Sequence, residues 1–399
     1  MKALRWGLVV VTVLAGLIGT WRLVGPRPDP VGGAVKQLHF LRAAIDDGAD
    51  HESQALFPEG YFFLNVLYGL TWVQVATSHP EYEAEAVREA RWALGRLQST
   101  DGTAPFEHRL DPPYGIFHAG WTNWLRGAIG TLDSSALNEY TQSSIEIAKA
   151  FDAAASPYLM AYPGQAWPVD STVAIASLAL HDRITTPHFT QTRGRWLELV
   201  HQRLDPGTGL MPHQAEPGPT GARATSQSIV QRFLPEIDRE FARSQYRLFR
   251  DKFVTTYGPG VREYPKGLSG SGDVDSGPLV LGVSLSATVV TAGAARIHHD
   301  PLGDALLRVG EVLGAPLTGL TTKRYAFGLI PVGDAFVAWS ATAMPTNGPA
   351  TPAADPLTWW WRLPWILLCW LPALLVAGLL LIRRASARRR GSGMGPLRG

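Results

Sequence analysis

Two short stretches of the chain place a carboxylate beside a hydroxyl in front of an apolar run. They are WPVDSTVAIASLALHD at 167–182, with Asp170 and Ser171, and GDVDSGPLVLGVSLSATVV at 272–290, with Asp275 and Ser276. Asp and Ser both favour helix N-caps, so each pair could simply satisfy the free N–H groups of its own helix. If the serine takes that role, the aspartate is released to point elsewhere. Two such carboxyls in one desolvated pocket would have their pKa values pushed apart, leaving one protonated and one ionised. Glycoside hydrolysis needs a pair of that kind. Trp167 and Pro168, just ahead of Asp170, add a flat apolar surface of the sort that stacks on a sugar ring.

Helices must position these groups, because strand-like alternation is almost absent between residues 30 and 350. Helical runs separated by Gly/Pro loops are expected near 35–48, 59–77, 81–98, 115–130, 136–153, 169–182, 187–203, 224–233, 235–253, 276–297, 301–315 and 333–344. Their character alternates. EYEAEAVREARWALGRLQ (81–98) and TPHFTQTRGRWLELVHQRL (186–204) carry charge on one face, whereas YFFLNVLYGLTWVQVA (61–76) and STVAIASLALHD (171–182) are apolar or small all round. A helix apolar on every side is buried on every side. The expectation is an all-α domain, an (α/α)6 toroid of six helical hairpins with the amphipathic members outside.

This alternation, with loops such as LDPGTGLMPH (204–213), resembles the six-hairpin glycosidase-like toroids over roughly residues 35–350. That superfamily hosts glycoside hydrolases, polysaccharide lyases, sugar epimerases and terpene-active enzymes of the linalool dehydratase/isomerase type. The resemblance therefore implies a fold and leaves the chemistry to the site.

In such a toroid the buried helices run the same way and their N-termini meet at one end, with their free N–H groups and dipoles. The residues there are Glu59; Asp111, Tyr114 and His118; Asp170; Arg223, Ser226 and Gln227; Asp273 and Asp275; and Asp334. Asp111 and Asp334 read as caps or turn residues. The candidate catalytic carboxyls are Asp170, Asp275 and Glu59. Tyr61, Tyr114, His118, Trp121, Tyr162, Trp167, Glu263, Tyr264 and Asp273 are the candidate substrate-binding residues. Glu107 with His108, and His213, are further loop candidates. No metal or cofactor is expected: His298, His299 and Asp300 have no second cluster with ligand spacing. GLSGSGDVDSG (267–277) lacks the strand and the GK[ST] of a phosphate loop.

The 46% hydrophobic content is concentrated at the two ends. Residues 1–28 contain WGLVVVTVLAGLIGTW after Lys2 and Arg5, the pattern of a membrane anchor or of a signal peptide. Residues 363–383 are an apolar span preceded by Trp359, Trp360 and Trp361 and followed by a basic tail at 384–399. Both charge cues put the ends in the cytoplasm and residues 29–345 on the extracytoplasmic face of the cell membrane, joined to the second span by a Pro/Ala-rich tether at 346–362. With a net charge of +2 and the basic run at the C-terminus, the body has no general basic face for nucleic acid. The only cysteine, Cys369, lies in the apolar span. This disfavours chemistry of the linalool dehydratase/isomerase type where it depends on cysteines. The expected partner besides the membrane is a glycan or an amphiphilic small molecule. The main expectation is an envelope-glycan hydrolase; the alternatives are a lipid- or terpenoid-active enzyme and a non-catalytic glycan-binding scaffold. Oligomeric state is left open.

Overall fold

A computed structural model of the protein describes residues 2–26, 29–255, 258–345 and 358–391. These residues are mostly helical. In chain order the helices are α1 (Lys2–Val24), α2 (Pro30–Asp46), α3 (Ala49–Leu56), α4 (Gly60–Ser78), α5 (Glu83–Leu97), α6 (Thr100–Thr103), α7 (Gly115–Gly130) and α8 (Leu137–Ala153). There follow α9 (Pro168–Ile184), α10 (Thr190–His201), α11 (Ala224–Ile237), α12 (Arg239–Phe253), α13 (Leu285–Ile297), α14 (Leu302–Leu313), α15 (Pro331–Ala341) and α16 (Arg362–Gly391). A short antiparallel hairpin pairs Leu317 with Arg324 and Thr318 with Lys323.

The helices that are apolar all round pack in sequence: α4 on α7, α7 on α9, α9 on α11, α11 on α13, α13 on α15, and α15 back on α4. The amphipathic helices lie against them, α2 on α4 and α15, α5 on α4 and α7, α8 on α7 and α9, α10 on α9, α12 on α11 and α14 on α13. Level-matched contacts show that three of these apolar, inner helices, α4, α7 and α9, run in one direction. Gly120 meets Ala174 and Gly130 meets Ile184 between α7 and α9. Phe63 and Phe117, in the first turns of α4 and α7, have ring centroids 5.3 Å apart. Aromatic rings fill the space between the helices, where Trp121 touches Phe63, Phe233 and Trp339.

Two expected runs are corrected. The run at 35–48 is α2, which starts earlier, at Pro30, because Asp29 accepts from Val31 and Gly32 N–H; beyond Gly48, at φ +94°, follows a further helix, α3, outside the expected runs. The run at 276–297 begins only at Leu285, with Ser284 capping the Ala287 N–H at 3.2 Å. Gly277, Leu281 and Gly282 all have positive φ, and Pro278 follows Gly277, so 276–284 cannot be helical. Asp275 thus lies in a loop well ahead of α13 and does not open it.

The terminal helices α1 and α16 are long and apolar enough to cross a membrane. They pair antiparallel: Arg362 Nε donates to Leu23 O (3.2 Å), and Trp370 Nε1 donates to Thr20 Oγ1 (3.0 Å). Trp359 and Trp360 are exposed, as an interfacial belt requires, but Trp361 is buried with Leu23 against Ala305 and Val309 of α14. Most of the expected tether, 346–357, and the end of the basic tail, 392–399, lie outside the described residues; α16 itself continues to Gly391.

Close approach of α7 and α9 depends on glycine. A Cβ at Gly120 would sit 2.9 Å from the Ala174 Cβ and 3.0 Å from its backbone nitrogen. Gly120→Val should destabilise the protein by about 1–3 kcal/mol, the usual cost of overpacking a tight core. Thermal unfolding in detergent checks this; an unchanged melting temperature would mean that the two helices separate freely.

Candidate functional site

Asp170 stands in the first turn of α9, 7% exposed, and its carboxyl has no hydrogen-bond partner among the described residues. It does not cap its helix; neither does Ser171. The N-cap position is Trp167, with no side-chain cap, and the Ser171 hydroxyl accepts the Leu159 N–H at 3.0 Å. The serine therefore pins the loop that carries Tyr162. Burial raises the Asp170 pKa well above the usual aspartate range, and the neighbouring negative charges of Glu59 and Asp275 raise it further. The α9 dipole favours the anion by about 0.3–1 kcal/mol. An unpaired buried charge costs several kcal/mol, so the carboxyl is held protonated.

Glu59 precedes α4 without capping it, and its Oε1 accepts the Tyr162 hydroxyl. Tyr162 stacks on Phe106 at 5.8 Å and stands edge-on to Trp167 at 6.0 Å. Burial, and then Glu59, push the phenol pKa upward, so it stays a donor. Gly115, at φ +79°, lets the start of α7 approach this loop, since a Cβ there would run into the Ala161 carbonyl.

Asp275 approaches from the loop before α13. Surrounding protein pushes its pKa to about 6, helped by the charges of Asp273 and Glu59 and opposed by Arg223. The side chain nevertheless keeps contact with solvent. Asp275 is exposed, and the neighbouring charges of Asp273 and Glu59 act on it from the protein side. Two loops and the first turn of α9, far apart in sequence, thus bring Glu59, Asp170 and Asp275 within electrostatic range of one another.

Arg223, at the N-cap position of α11, organises the rest of this end. Its Nε donates to Glu263 Oε1 (2.8 Å), its Nη1 pairs with Asp273 Oδ2 (2.6 Å), and its guanidinium lies 5.2 Å from the Tyr264 ring centre. Asp273 also accepts the Ser276 N–H at 2.9 Å. Burial alone would raise the Asp273 pKa, but this bond and the guanidinium lower it, so Asp273 is an anion that holds the loop. His213, its Nδ1 2.6 Å from Ser226 Oγ, is driven to about 4 chiefly by burial and is neutral.

Several expected site residues lie elsewhere. Tyr61 is buried and faces outward, edge-on to His51 and beneath Arg96, which is paired with Asp50. Trp121 is core, 1% exposed. Glu263 is fully buried and accepts from Arg223 and Thr225, so it positions Arg223 and does not reach a substrate. His118 donates from Nε2 to Leu97 O (3.1 Å), is held near 4 by burial, and packs among Phe62, Phe106 and Tyr114. His118 and Tyr114 therefore form a second layer behind Phe106. Glu107 and His108 pair with each other at 3.1 Å on the surface. Asp334 accepts from Tyr325 N–H and Gln37 and fixes a loop.

No protein-family model matches this chain. No curated protein matches it either. Chemistry must then be read from the cluster itself. Among the described residues no three His, Cys, Asp or Glu side chains are grouped as metal ligands. What the cluster supplies is a protonated carboxyl, a carboxyl with a pKa near neutrality, a third carboxylate tied to a tyrosine, and two aromatic rings. Phe106 and Arg223 join the expected list. Phe106 carried no local signal, whereas Arg223 was already visible as the basic residue ahead of an inner helix.

An aspartate with a raised pKa keeps a proton that the unfolded chain releases, so it costs stability increasingly as pH climbs above the ordinary aspartate value. Asp170→Asn should therefore melt higher than the parent at pH 7, by on the order of 2 °C or more. The gap should close as pH falls towards 4. A variant that melts lower at pH 7 would mean that Asp170 is held as an anion.

Proposed function

We propose that the closed circuit of inner helices is an (α/α)6 toroid and that its N-terminal mouth is the active site of a glycoside hydrolase-like enzyme acting on envelope glycan. The observation that carries this reading is Asp170: a buried carboxyl, free of hydrogen bonds, beside a second carboxyl whose pKa is about 6. At neutral pH one is an acid and the other a base, the division of labour that glycosidic cleavage requires. Asp170 gives its proton to the leaving oxygen as the glycosidic C–O bond breaks. Asp275, or a water it deprotonates, attacks the anomeric carbon. Tyr162 and Trp167 offer ring faces for a pyranose, and Tyr162 steadies Glu59. Arg223 acts indirectly, by holding the 273–275 turn through Asp273.

The same reading places the domain outside the cell. Lys2 and Arg5 in the first turns of α1 and the arginines that end α16 are the cytoplasmic signals of a two-pass protein, and they support an extracytoplasmic body.

Activity against a panel of envelope polysaccharides and chromogenic glycosides tests the proposal. Asp170→Asn and Asp275→Asn should each lower kcat/KM by about 10²–10⁴-fold. The parent's kcat/KM should rise with pH through about 6 as Asp275 loses its proton. It should fall at higher pH, where Asp170 ionises. Asp275→Asn should abolish the acid limb. Arg223→Lys, which cannot bridge Glu263 and Asp273 in the same fork, should lower kcat while the shape of the pH profile persists. Full activity in both aspartate variants would leave the protein a glycan-binding scaffold.

A further inference from the structure

The two terminal helices leave the body from the mouth end. Helix α14 runs into the loop that enters α15, so its C-terminal end lies at the mouth. Arg22 grips that end, donating from Nη1 to Glu311 O (2.8 Å) and from Nη2 to Pro316 O (3.2 Å). Leu23 and Trp361 pack one level lower, on Ala305 and Val309. Trp365, a turn further along α16, reaches Gly258 in the mouth-end loop after α12; a Cβ there would lie 3.4 Å from the indole nitrogen. Beyond it, Cys369 and Trp370 meet Gly19 and Gly16 of α1. Both apolar helices therefore project past the mouth.

The exposed apolar side chains of the body share this polarity. Among the described residues from 29 to 345, the large exposed hydrophobics lie on the segments that lead into inner-helix N-termini, with the sole exception of Met344 after α15. They include Leu281 (80% exposed), Leu320 (95%) and Phe327 (65%). Leu281 and Phe327 also have left-handed backbones, φ +53° and +61°. That strain is unusual for large side chains and gains no packing within the body. An apolar rim on one end only is the mark of a docking surface, and its occupant is set by the helices beside it.

We propose that the mouth opens directly onto the bilayer spanned by α1 and α16, with the 268–285 and 317–330 loops dipping into the outer leaflet. The substrate is then a membrane-resident amphiphile: a saccharide carried on a lipid, whose head enters among Asp170, Asp275 and Trp167 while its chain stays in the leaflet. The substrate class rests on the glycosidase reading above; the orientation of the mouth does not.

The test uses the full chain in phosphatidylcholine vesicles, in a Cys369→Ser background. Leu281→Cys, Phe327→Cys and Met344→Cys, each labelled with bimane, are compared for quenching by lipids bearing nitroxide on the acyl chain. Strong quenching at 281 or 327 with little at 344 is expected. Equal quenching at the two ends, or none at the mouth, overturns the orientation, whichever single variant folds. In a second arm, Leu281→Glu with Phe327→Glu should slow turnover of a bilayer-embedded lipid-linked saccharide about tenfold and leave turnover of its soluble head group unchanged. An equal loss on both substrates overturns the substrate class. Undiminished turnover of both by Asp170→Asn overturns the acid–base reading instead and leaves the quenching result standing.

Discussion

Everything at the mouth depends on how closely the inner helices approach one another. Helices α7 and α9 touch through Gly120 and Ala174, with no room for one more carbon. Along the sides of helices this close, polar groups are buried against one another, as Asn123 is against Ser177, and an unpaired carboxyl such as Asp170 is left to an end. Running in one direction, these helices deliver their ends to a single place. Among the described residues, Glu59, Asp170 and Asp275 meet there without the arginine partners that Asp50 and Asp300 have in the interior.

The mouth is consequently crowded with charge of one sign. Glu59, Asp170, Asp273 and Asp275 act on one another electrostatically, with Arg223 the opposing charge. Arg223 is committed to Glu263 and Asp273, which leaves the deeper acids uncompensated. Like charges in a desolvated site cannot all ionise, so the most buried of them retains its proton. Exposure separates the two carboxyls: Asp170 is 7% exposed, whereas Asp275 is open to water.

The helical plan was legible because its signals are local and long. STVAIASLALHD has no polar face, and α9 is buried along its whole length but for its last turn. The convergence of Asp170, Asp275 and Glu59 was legible once the inner helices were taken as parallel. Other assignments failed where a side chain's direction, not its position, decided the outcome. Tyr61 starts an inner helix as expected, yet its ring turns towards Asp50 and Arg96, which stand 11 residues before it and 35 after. Trp121 lies two turns below Tyr114, and that depth takes it from mouth to core. The start of α13 was hidden because VDSGPLVLGVSL is apolar enough to pass for helix, and only the glycines and Pro278 distinguish it. The partners of Arg223, 40 and 50 residues away, are joined by a loop return that no local spacing announces.

The misread loop also explains why an aspartate outside any helix can still belong to the site. Had Asp275 opened α13, its carboxyl would have been drawn to the free N–H groups of that helix and its pKa lowered. Ser284 takes that role instead, nine residues later. The intervening segment is free to form a loop that carries Asp273, held by Arg223, and Asp275 together with the exposed Val274, Val280 and Leu281. One loop therefore supplies both a titrating carboxyl and an apolar rim. Movement of this loop displaces Asp275 and leaves Asp170 in place on α9, so the loop tunes the spacing of the two carboxyls.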